Sequence, residues 1–298
     1  MNAHKKIPQP LLGFLSRRGA ITALLALTLL PAGSAWADRS LEAQTKFDYL
    51  DKVLTLRHFY SADHLRFRSD GTLQGDALVG PWTVDGQLMV EDVQLRGGRL
   101  LIKGRRIHRV FDSQHNPQDE LSRVENGHDK QSKDREKVLR HLKVEIEIEL
   151  PSDKPGQKEI SSAMHSVFVT GSDSMLDIVP SYWRAYFAKQ EGKPVPPMKE
   201  SVYTFKARGG MSPPRAIYQP DPEYAEEARR AKYQGTDVLS LIVDPSGAPR
   251  DLQVVMPLGL GLDEKAVEAV STWKFKPAQK DGEPVSVLLN VEVQFRLY

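Results

Sequence analysis

The C-terminal stretch of the chain decides its fold. It runs PRAIYQPDPEYAEEARRAKYQGTDVLSLIVDPSGAPRDLQVV over residues 214–255 and LDEKAVEAVSTWKFKPAQKDGEPVSVLLNVEVQFRLY over residues 262–298. Cap and turn residues stand at nearly every boundary between its apolar segments, which alternate between helical and strand-like patterns. The order of these segments predicts a compact unit of helix, hairpin, helix and strand.

Both helices of this unit are predicted from their ends. Asp221 is a good N-cap, and Pro222 takes the first helical position, where its missing N–H costs nothing. Gly235 ends this helix, whose early turns are acidic and late turns basic, as the helix dipole favours. Asp263 is the predicted cap of the second helix, which ends at the segment 274–277.

A hairpin is predicted between the two helices. Val238 to Val243 is apolar on both faces, which favours a central strand over an exposed one. Pro245-Ser246-Gly247 turns the chain into a second strand, Arg250 to Met256.

The last strand, Val285 to Phe295, alternates apolar and polar residues, with Leu288 as an apolar exception on the polar face. A long strand at the edge of a small sheet is an aggregation hazard unless it is covered or used. One interpretation is that a partner's extended peptide pairs with it. The alternative is that it only completes the sheet, or pairs with a second copy of the chain. The residues alone favour neither.

The same region resembles the C-terminal domain of the TonB family over about residues 214–298. The resemblance rests on ordered, correctly spaced segments, which are Tyr224-Ala225-Glu226-Glu227-Ala228-Arg229, Gln234-Gly235, the turn from Asp244 to Gly247, and Trp273-Lys274-Phe275-Lys276-Pro277-Ala278. One departure is Ala225, where the family usually has proline. The resemblance implies a two-layer α/β domain with a three-stranded antiparallel sheet and two helices.

The resemblance also implies a binding site. TonB binds a short N-terminal peptide of outer-membrane receptors, the TonB box, which pairs as an added strand with the sheet. By analogy the final strand pairs with that peptide, and the segment 219–223 lies beside it. The peptide-binding residues expected on this basis are Gln219, Asp221, Glu223, Val285, Val287, Leu288, Asn290, Glu292 and Gln294. The implied partner is a TonB-dependent outer-membrane receptor or another extended peptide, and a homodimer is an alternative.

The N-terminus predicts a secretory signal peptide over residues 1–37. A basic leader precedes the uncharged apolar run Ala20 to Leu30, and Ala35-Trp36-Ala37 matches an A-x-A cleavage pattern. The competing interpretation is a membrane anchor, but a spanning helix needs roughly 20 apolar residues, more than this run supplies. Ser16-Arg17-Arg18 also fits a twin-arginine export signal, although the residues after it match poorly.

The expected leader sets this chain apart from the TonB family. TonB proteins keep an N-terminal transmembrane helix that couples to a proton-driven motor, followed by a long proline-rich linker. We therefore predict a periplasmic TonB-like module that takes part in outer-membrane transport without transducing energy by itself. The alternative is an envelope scaffold that uses the same domain for another peptide, for peptidoglycan or for self-association.

Composition excludes several functions. The formal charge is +2, and removing Lys5, Lys6, Arg17 and Arg18 with the leader leaves 2 − 4 = −2, which gives no case for nucleic-acid binding. The chain has no cysteine, so neither disulfides nor a thiolate nucleophile is available. Gly259 and Gly261 imitate a dinucleotide fingerprint, but Glu264 stands where its third glycine belongs. We expect no enzyme, cofactor, metal site or small-molecule substrate.

Two further segments precede the C-terminal unit. Residues 38–191 read as a mostly antiparallel, β-rich domain with one or two helices, so the whole chain is predicted to be α+β. Residues 192–213 read as a Pro/Gly linker that contains one extra strand, Val202 to Phe205. Within the first domain, Ser113 to Lys137 is predicted to be a long surface loop.

Charged and aromatic clusters in the first domain have ordinary explanations. The basic series from Arg96 to Arg109 and the acidic series Glu145, Glu147 and Glu149 are expected on solvated strand faces. The four histidines His58, His64, His108 and His115 match no common metal spacing. The aromatic segment Tyr182 to Phe187 is expected to pack in a core.

Overall fold

A computed structural model of the chain describes residues 33–126, 130–195, 202–204 and 210–297. Residues 1–32 of the predicted leader lie outside these ranges, and the predicted cleavage pattern at 35–37 falls inside the first helix. Among the described residues, no helix combines the length and apolarity needed to cross a bilayer.

The first part of the chain alternates short helices with strands. Its elements are α1 (Gly33–Tyr49), β1 (Val53–Leu56), β2 (His64–Phe67), β3 (Leu73–Gln74), α2 (Trp82–Asp85), β4 (Gln87–Arg96), β5 (Arg99–Arg106), β6 (Arg109–Phe111), β7 (Pro117–Asp119), α3 (Glu120–Glu125), α4 (Lys130–Leu139), β8 (Lys143–Glu149), α5 (Gln157–Val167), β9 (Phe168–Val169) and α6 (Arg184–Gln190), with 3₁₀ turns at Met175–Asp177 and Ser181–Trp183.

The second part follows the predicted helix, hairpin, helix and strand order, with short strands added around it. Its elements are β10 (Tyr203–Thr204), β11 (Met211–Ser212), β12 (Arg215–Tyr218), α7 (Glu226–Arg230), β13 (Gly235–Val243), β14 (Pro249–Met256), α8 (Leu262–Ser271), β15 (Lys274–Lys276), β16 (Ala278–Lys280), β17 (Glu283–Val285) and β18 (Val287–Phe295).

The larger sheet has the order β3-β2-β8-β5-β4-β1-β9. All its pairs are antiparallel except β2 with β8. Gly97 and Gly98 turn β4 into β5 with positive φ angles of 50° and 73°, a conformation that glycine adopts without steric cost. Helix α5 lays its predicted apolar stripe on this sheet, including Ile160 and Met164. The structure thus confirms a mostly antiparallel first part.

The C-terminal sheet has the order β10-β18-β13-β14. Its antiparallel strands β14, β13 and β18 are the three that the resemblance implies, and β10 adds a short parallel neighbour to β18. Leu239, Leu241 and Val243 of β13 are fully buried on one face, and Ile242 is buried on the other. The apolar character of both faces therefore reflects a central position, as predicted. The chain as a whole is α+β.

One apolar core joins the two parts of the chain. Trp183 packs edge-on against Trp82 with ring centroids 5.3 Å apart, and both belong to the same buried cluster as Leu239 and Val270 of the C-terminal unit. The Trp183 Nε1–H donates to Glu264 Oε1 at 2.9 Å. The aromatic segment is thus core, as expected. This core contains residues from before and after the predicted linker at 192–213. The division of the chain into two domains at this linker stays a prediction.

Two glycines allow the second part to approach the first. A Cβ on Gly259 would lie 2.2 Å from the carbonyl oxygen of Arg109, and a Cβ on Gly261 would lie 3.2 Å from Pro81. Leu260 N–H, between them, donates to Arg109 O at 3.0 Å. The glycine pair that imitates a nucleotide fingerprint therefore permits close packing, of Gly259 against the Arg109 backbone and of Gly261 against the Pro81 ring.

The predicted loop from Ser113 to Lys137 is wrong for the described residues, because they include β7, α3 and most of α4. Arg135 forms a two-pronged pair with Glu120, with both N–O distances 2.8 Å. Arg135 also lies 3.7 Å from Glu227 of α7. Burial raises the pKa of Glu120, but hydrogen bonds from His108 and Arg135 outweigh it and lower the pKa. Because these opposite charges pair with one another, the polar segment can pack against the rest of the protein. Its composition alone did not indicate this packing.

The first helix of the C-terminal unit is shorter than predicted. It begins after Ala225, and Asp221 does not cap it. The residues before it are held by tertiary contacts instead. Trp273 Nε1–H donates to Pro220 O at 3.2 Å, and the Tyr224 ring packs edge-on against Phe295 with centroids 5.6 Å apart. These long-range contacts override the local capping signal.

Replacing Trp183 by alanine tests the shared core. The indole is fully buried, so Trp183→Ala should lower the free energy of unfolding by about 3–5 kcal/mol. Phe47→Ala is the control, because Phe47 is 81% exposed and its loss should cost less than about 0.5 kcal/mol. Denaturant unfolding monitored by circular dichroism measures both. Similar losses for the two variants would contradict a shared core.

Candidate peptide-binding site

Strand β18 is held along its whole length by β13. The register runs from Gly235 opposite Phe295 to Val243 opposite Val287. The apolar face of β18 is closed by the core, with Val287, Val293 and Phe295 almost fully buried. One edge of β18 is thus paired with β13, and one face is packed on the core. The opposite edge and the opposite face are the candidate contact surfaces.

The outer face carries four of the predicted site residues. Asn290, Glu292 and Gln294 are exposed, and Leu288 is half-buried. They alternate with the buried residues because successive side chains of a strand point to opposite faces. The structure therefore brings these four predicted residues together on one face of one strand.

The direction of the backbone groups follows from the short strand β10. Tyr203 N–H donates to Ser286 O at 3.0 Å, so the backbone polar groups of Ser286 point away from β13. Because the pattern alternates along a strand, the N–H and C=O groups of Leu288, Asn290, Glu292 and Gln294 share that outward direction. Within the described part of the chain, β10 pairs with β18 only at Val287 and Leu288. The outer edge of residues 290–294 is unpaired there.

Val285 is not part of this strand, contrary to the prediction of one strand from 285 to 295. It belongs to β17, where it pairs with Ala278 of β16. Asp281 and Gly282, both with positive φ, make the tight turn between β16 and β17. The alternation of apolar and polar residues runs unbroken through Ser286. In the structure, however, Val285 belongs to the β16–β17 hairpin, which is part of a different sheet from β18. Val287 is on β18, yet its side chain is fully buried in the sheet.

The predicted second half of the site, 219–223, lies against the helical layer. Gln219, Asp221 and Glu223 are exposed. Glu223 lies 3.4 Å from Lys265 of α8, and Pro220 accepts the bond from Trp273 described above. The described hydrogen bonds and ion pairs of this segment thus lead to α8 and Trp273. Its role beside a bound peptide stays a prediction.

The sequence does not reveal with which strand the linker strand pairs. Its alternation predicts a strand at 202–205, but nothing local specifies which edge it joins. In the structure Tyr203 pairs beside Val287, and the Lys280 ammonium lies 4.5 Å from the centre of the Tyr203 ring. These residues, with Ser286, border the unpaired edge.

A buried acidic cluster lies behind the sheet at the junction with the first part of the chain. Asp263 does not act as the predicted helix cap, since its carboxylate accepts from Leu258 N and Gly259 N at 2.7 and 2.8 Å. Burial raises the pKa of Asp237, as do the nearby charges of Asp263 and Glu264. Burial and Asp263 together raise the pKa of Glu264 from 4.5 to about 8.

Basic and acidic series in the first part have partners of their own. Lys103 pairs with Glu145 at 2.9 Å and Arg99 with Glu147 at 3.1 Å across neighbouring strands. Arg105 pairs with Asp119 at 2.7 Å. The strand-face explanation is therefore correct for the pairs formed by Lys103 and Arg99. It is wrong for Arg105 and Arg106, which are buried.

Comparison with known proteins places the C-terminal unit in a class. Residues 220–297 match the family described as "Gram-negative bacterial TonB protein C-terminal". This part of the chain is a TonB-family C-terminal domain, as the sequence resemblance predicted.

Two curated relatives share this domain. The protein tonB2 of Pseudomonas aeruginosa is 35% identical over 82 residues, which are 27% of this chain and 30% of the relative. The protein TonB of Vibrio cholerae serotype O1 is 29% identical over 110 residues, 34% of this chain and 45% of the relative. The chain thus matches less than half the length of either relative.

A solved structure gives a further match. The solution NMR structure of the Pseudomonas aeruginosa TonB C-terminal domain is 16% identical and covers 33% of this chain and 96% of its own, with a TM-score of 0.25.

Stability should fall as pH rises because of the buried acids. Between about pH 4.5 and pH 8, Glu264 keeps its proton in the folded protein but releases it in the unfolded chain. The stability that is present near pH 4.5 is therefore lost as pH rises through about 8. We expect the free energy of unfolding to drop by at least about 1 kcal/mol between about pH 5 and pH 8.

Glu264→Gln should reduce this drop, because its amide carries no titrating proton. Glu268→Gln is the control, since the Glu268 side chain is 63% exposed, and it should keep the wild-type slope. Denaturant melts at the two pH values give the comparison. An unchanged slope in Glu264→Gln would contradict the assignment.

Proposed function

We propose that the protein is a periplasmic, TonB-like component of outer-membrane transport. Its C-terminal domain docks extended segments of TonB-dependent receptors by adding them as a strand to β18. The observation that carries this proposal is the outer edge at Asn290, Glu292 and Gln294, which has no partner strand among the described residues, in a domain of the TonB family. The signal-like leader in the sequence supports the periplasmic location.

Strand addition suits this edge for physical reasons. Three residues present outward backbone groups that an extended peptide can bond, and main-chain bonds of this kind supply affinity with little dependence on sequence. The neighbouring side chains, Leu288 and the exposed polar residues, offer contacts that discriminate between peptides. Because β13 and the core already hold β18, little conformational entropy is lost when a partner pairs with it.

The alternative, self-association through the same edge, is supported by the same unpaired groups. A second copy of the chain would offer an identical strand for antiparallel pairing. Concentration-dependent light scattering separates the two: a stable dimer that excludes peptide favours self-association, whereas a monomer that binds peptide favours docking.

Replacing Asn290 by proline tests strand addition. Proline lacks the N–H that faces outward at this position, and it should leave the pairing with β13 intact because that N–H points away from β13. Binding to N-terminal peptides of TonB-dependent receptors from the same genome should weaken by at least about tenfold.

Asn290→Ala is the matched control, because it removes the side chain and keeps the N–H. It should bind within about threefold of wild type. Isothermal titration calorimetry gives the affinities, and circular dichroism establishes that both variants are folded. Undiminished binding by a folded Asn290→Pro protein would rule out docking along this edge.

A further inference from the structure

The start of the proposed docking edge already has a neighbour from the same chain. Strand β10 runs parallel to β18, with Tyr203 opposite Val287 and Thr204 opposite Leu288. Tyr203 N–H donates to Ser286 O at 3.0 Å. Parallel geometry then directs the Leu288 N–H toward the Tyr203 carbonyl oxygen. The chain therefore fills part of its own edge in the manner of an added peptide.

Within residues 202–204, the stretch around β10 that the structure describes, few contacts hold this strand. It contains two residues, whereas β18 contains nine. Tyr203 is 41% exposed, and its ring contacts the Lys280 ammonium rather than entering the core. The two backbone bonds and the exposed cation–π contact of these described residues contribute little free energy. The strand is therefore displaceable by a longer peptide that also pairs with residues 290–294.

We propose that β10 is a built-in competitor for the docking edge. It occupies the backbone groups at Ser286 and Leu288, and a partner peptide gains the full edge only by displacing it. This inference rests on the proposed function, since it concerns the same edge. Its consequence is a reduced apparent affinity for partners, by the fraction of time that the edge is uncovered.

Two proline variants of the full chain distinguish this role. Tyr203→Pro removes the N–H that bonds Ser286, whereas Thr204→Pro places proline where the backbone N–H faces away from β18, a position that an edge strand tolerates. The second variant is thus a matched control that differs by one position. Neither substitution changes a residue of β13 or β18.

The first measurement is amide hydrogen exchange by NMR without any partner. Leu288 N–H should exchange at least about fivefold faster in Tyr203→Pro than in wild type or Thr204→Pro, because losing one bond of this pair opens the other. Val291 N–H, which faces β13, should exchange equally in all three proteins. Equal Leu288 exchange in the three proteins would overturn the proposal.

The second measurement is peptide affinity by fluorescence anisotropy. One probe is a labelled synthetic peptide of residues 199–207, KESVYTFKA, supplied in trans. The others are the receptor N-terminal peptides. Each should bind Tyr203→Pro about threefold to thirtyfold more tightly than wild type, with Thr204→Pro resembling wild type.

The outcomes separate this inference from the proposed function. Equal peptide affinities for wild type and Tyr203→Pro would show that β10 does not compete for the edge and would overturn the proposal. Failure of every receptor peptide to bind any variant would overturn receptor docking. In that case tighter binding of the 199–207 peptide to Tyr203→Pro would still support competition for the edge.

Discussion

The antiparallel pairing of β13 with β18 is the interaction on which the rest of the structure depends. It spans nine residue pairs, from Gly235 with Phe295 to Val243 with Val287. The backbone groups on one side of β18 bond to β13, and one face of the strand is buried by the core, so the chain itself already holds the strand in place. The same pairing decides which backbone groups point outward, and hence which residues a peptide would meet.

The first part of the chain packs directly against this sheet through a shared core and is not merely connected to it by a linker. Trp82 and Trp183 share a core with Leu239 of β13, and Gly259 lets the two backbones meet. The acids Asp237 and Glu264 are buried at the same junction, at a cost in desolvation that protonation reduces. The first part therefore makes the proposed docking edge a fixed element of a larger body.

The outer edge of residues 290–294, unpaired within the described part of the chain, and the short strand β10 beside it follow from the same constraint. An outer strand with unpaired backbone groups tends to recruit any extended segment nearby. A segment of the same chain has a high effective concentration, so even a weak pairing is populated. A receptor-docking strand in this protein would thus function against competition from its own linker.

The sequence by itself determined the order of the main helices and strands of the C-terminal domain, its family resemblance and the alternation that places Leu288, Asn290, Glu292 and Gln294 on one face. These depend on local caps, turns and periodicity, which neighbouring residues specify. Only the tertiary structure decided that Val285 joins another hairpin, that Asp221 caps no helix, that Asp263 and Arg135 are buried with partners, and that Tyr203 pairs beside Val287. Each of these depends on contacts between residues distant in sequence, whose burial and pairing energies exceed local preferences of about 1 kcal/mol.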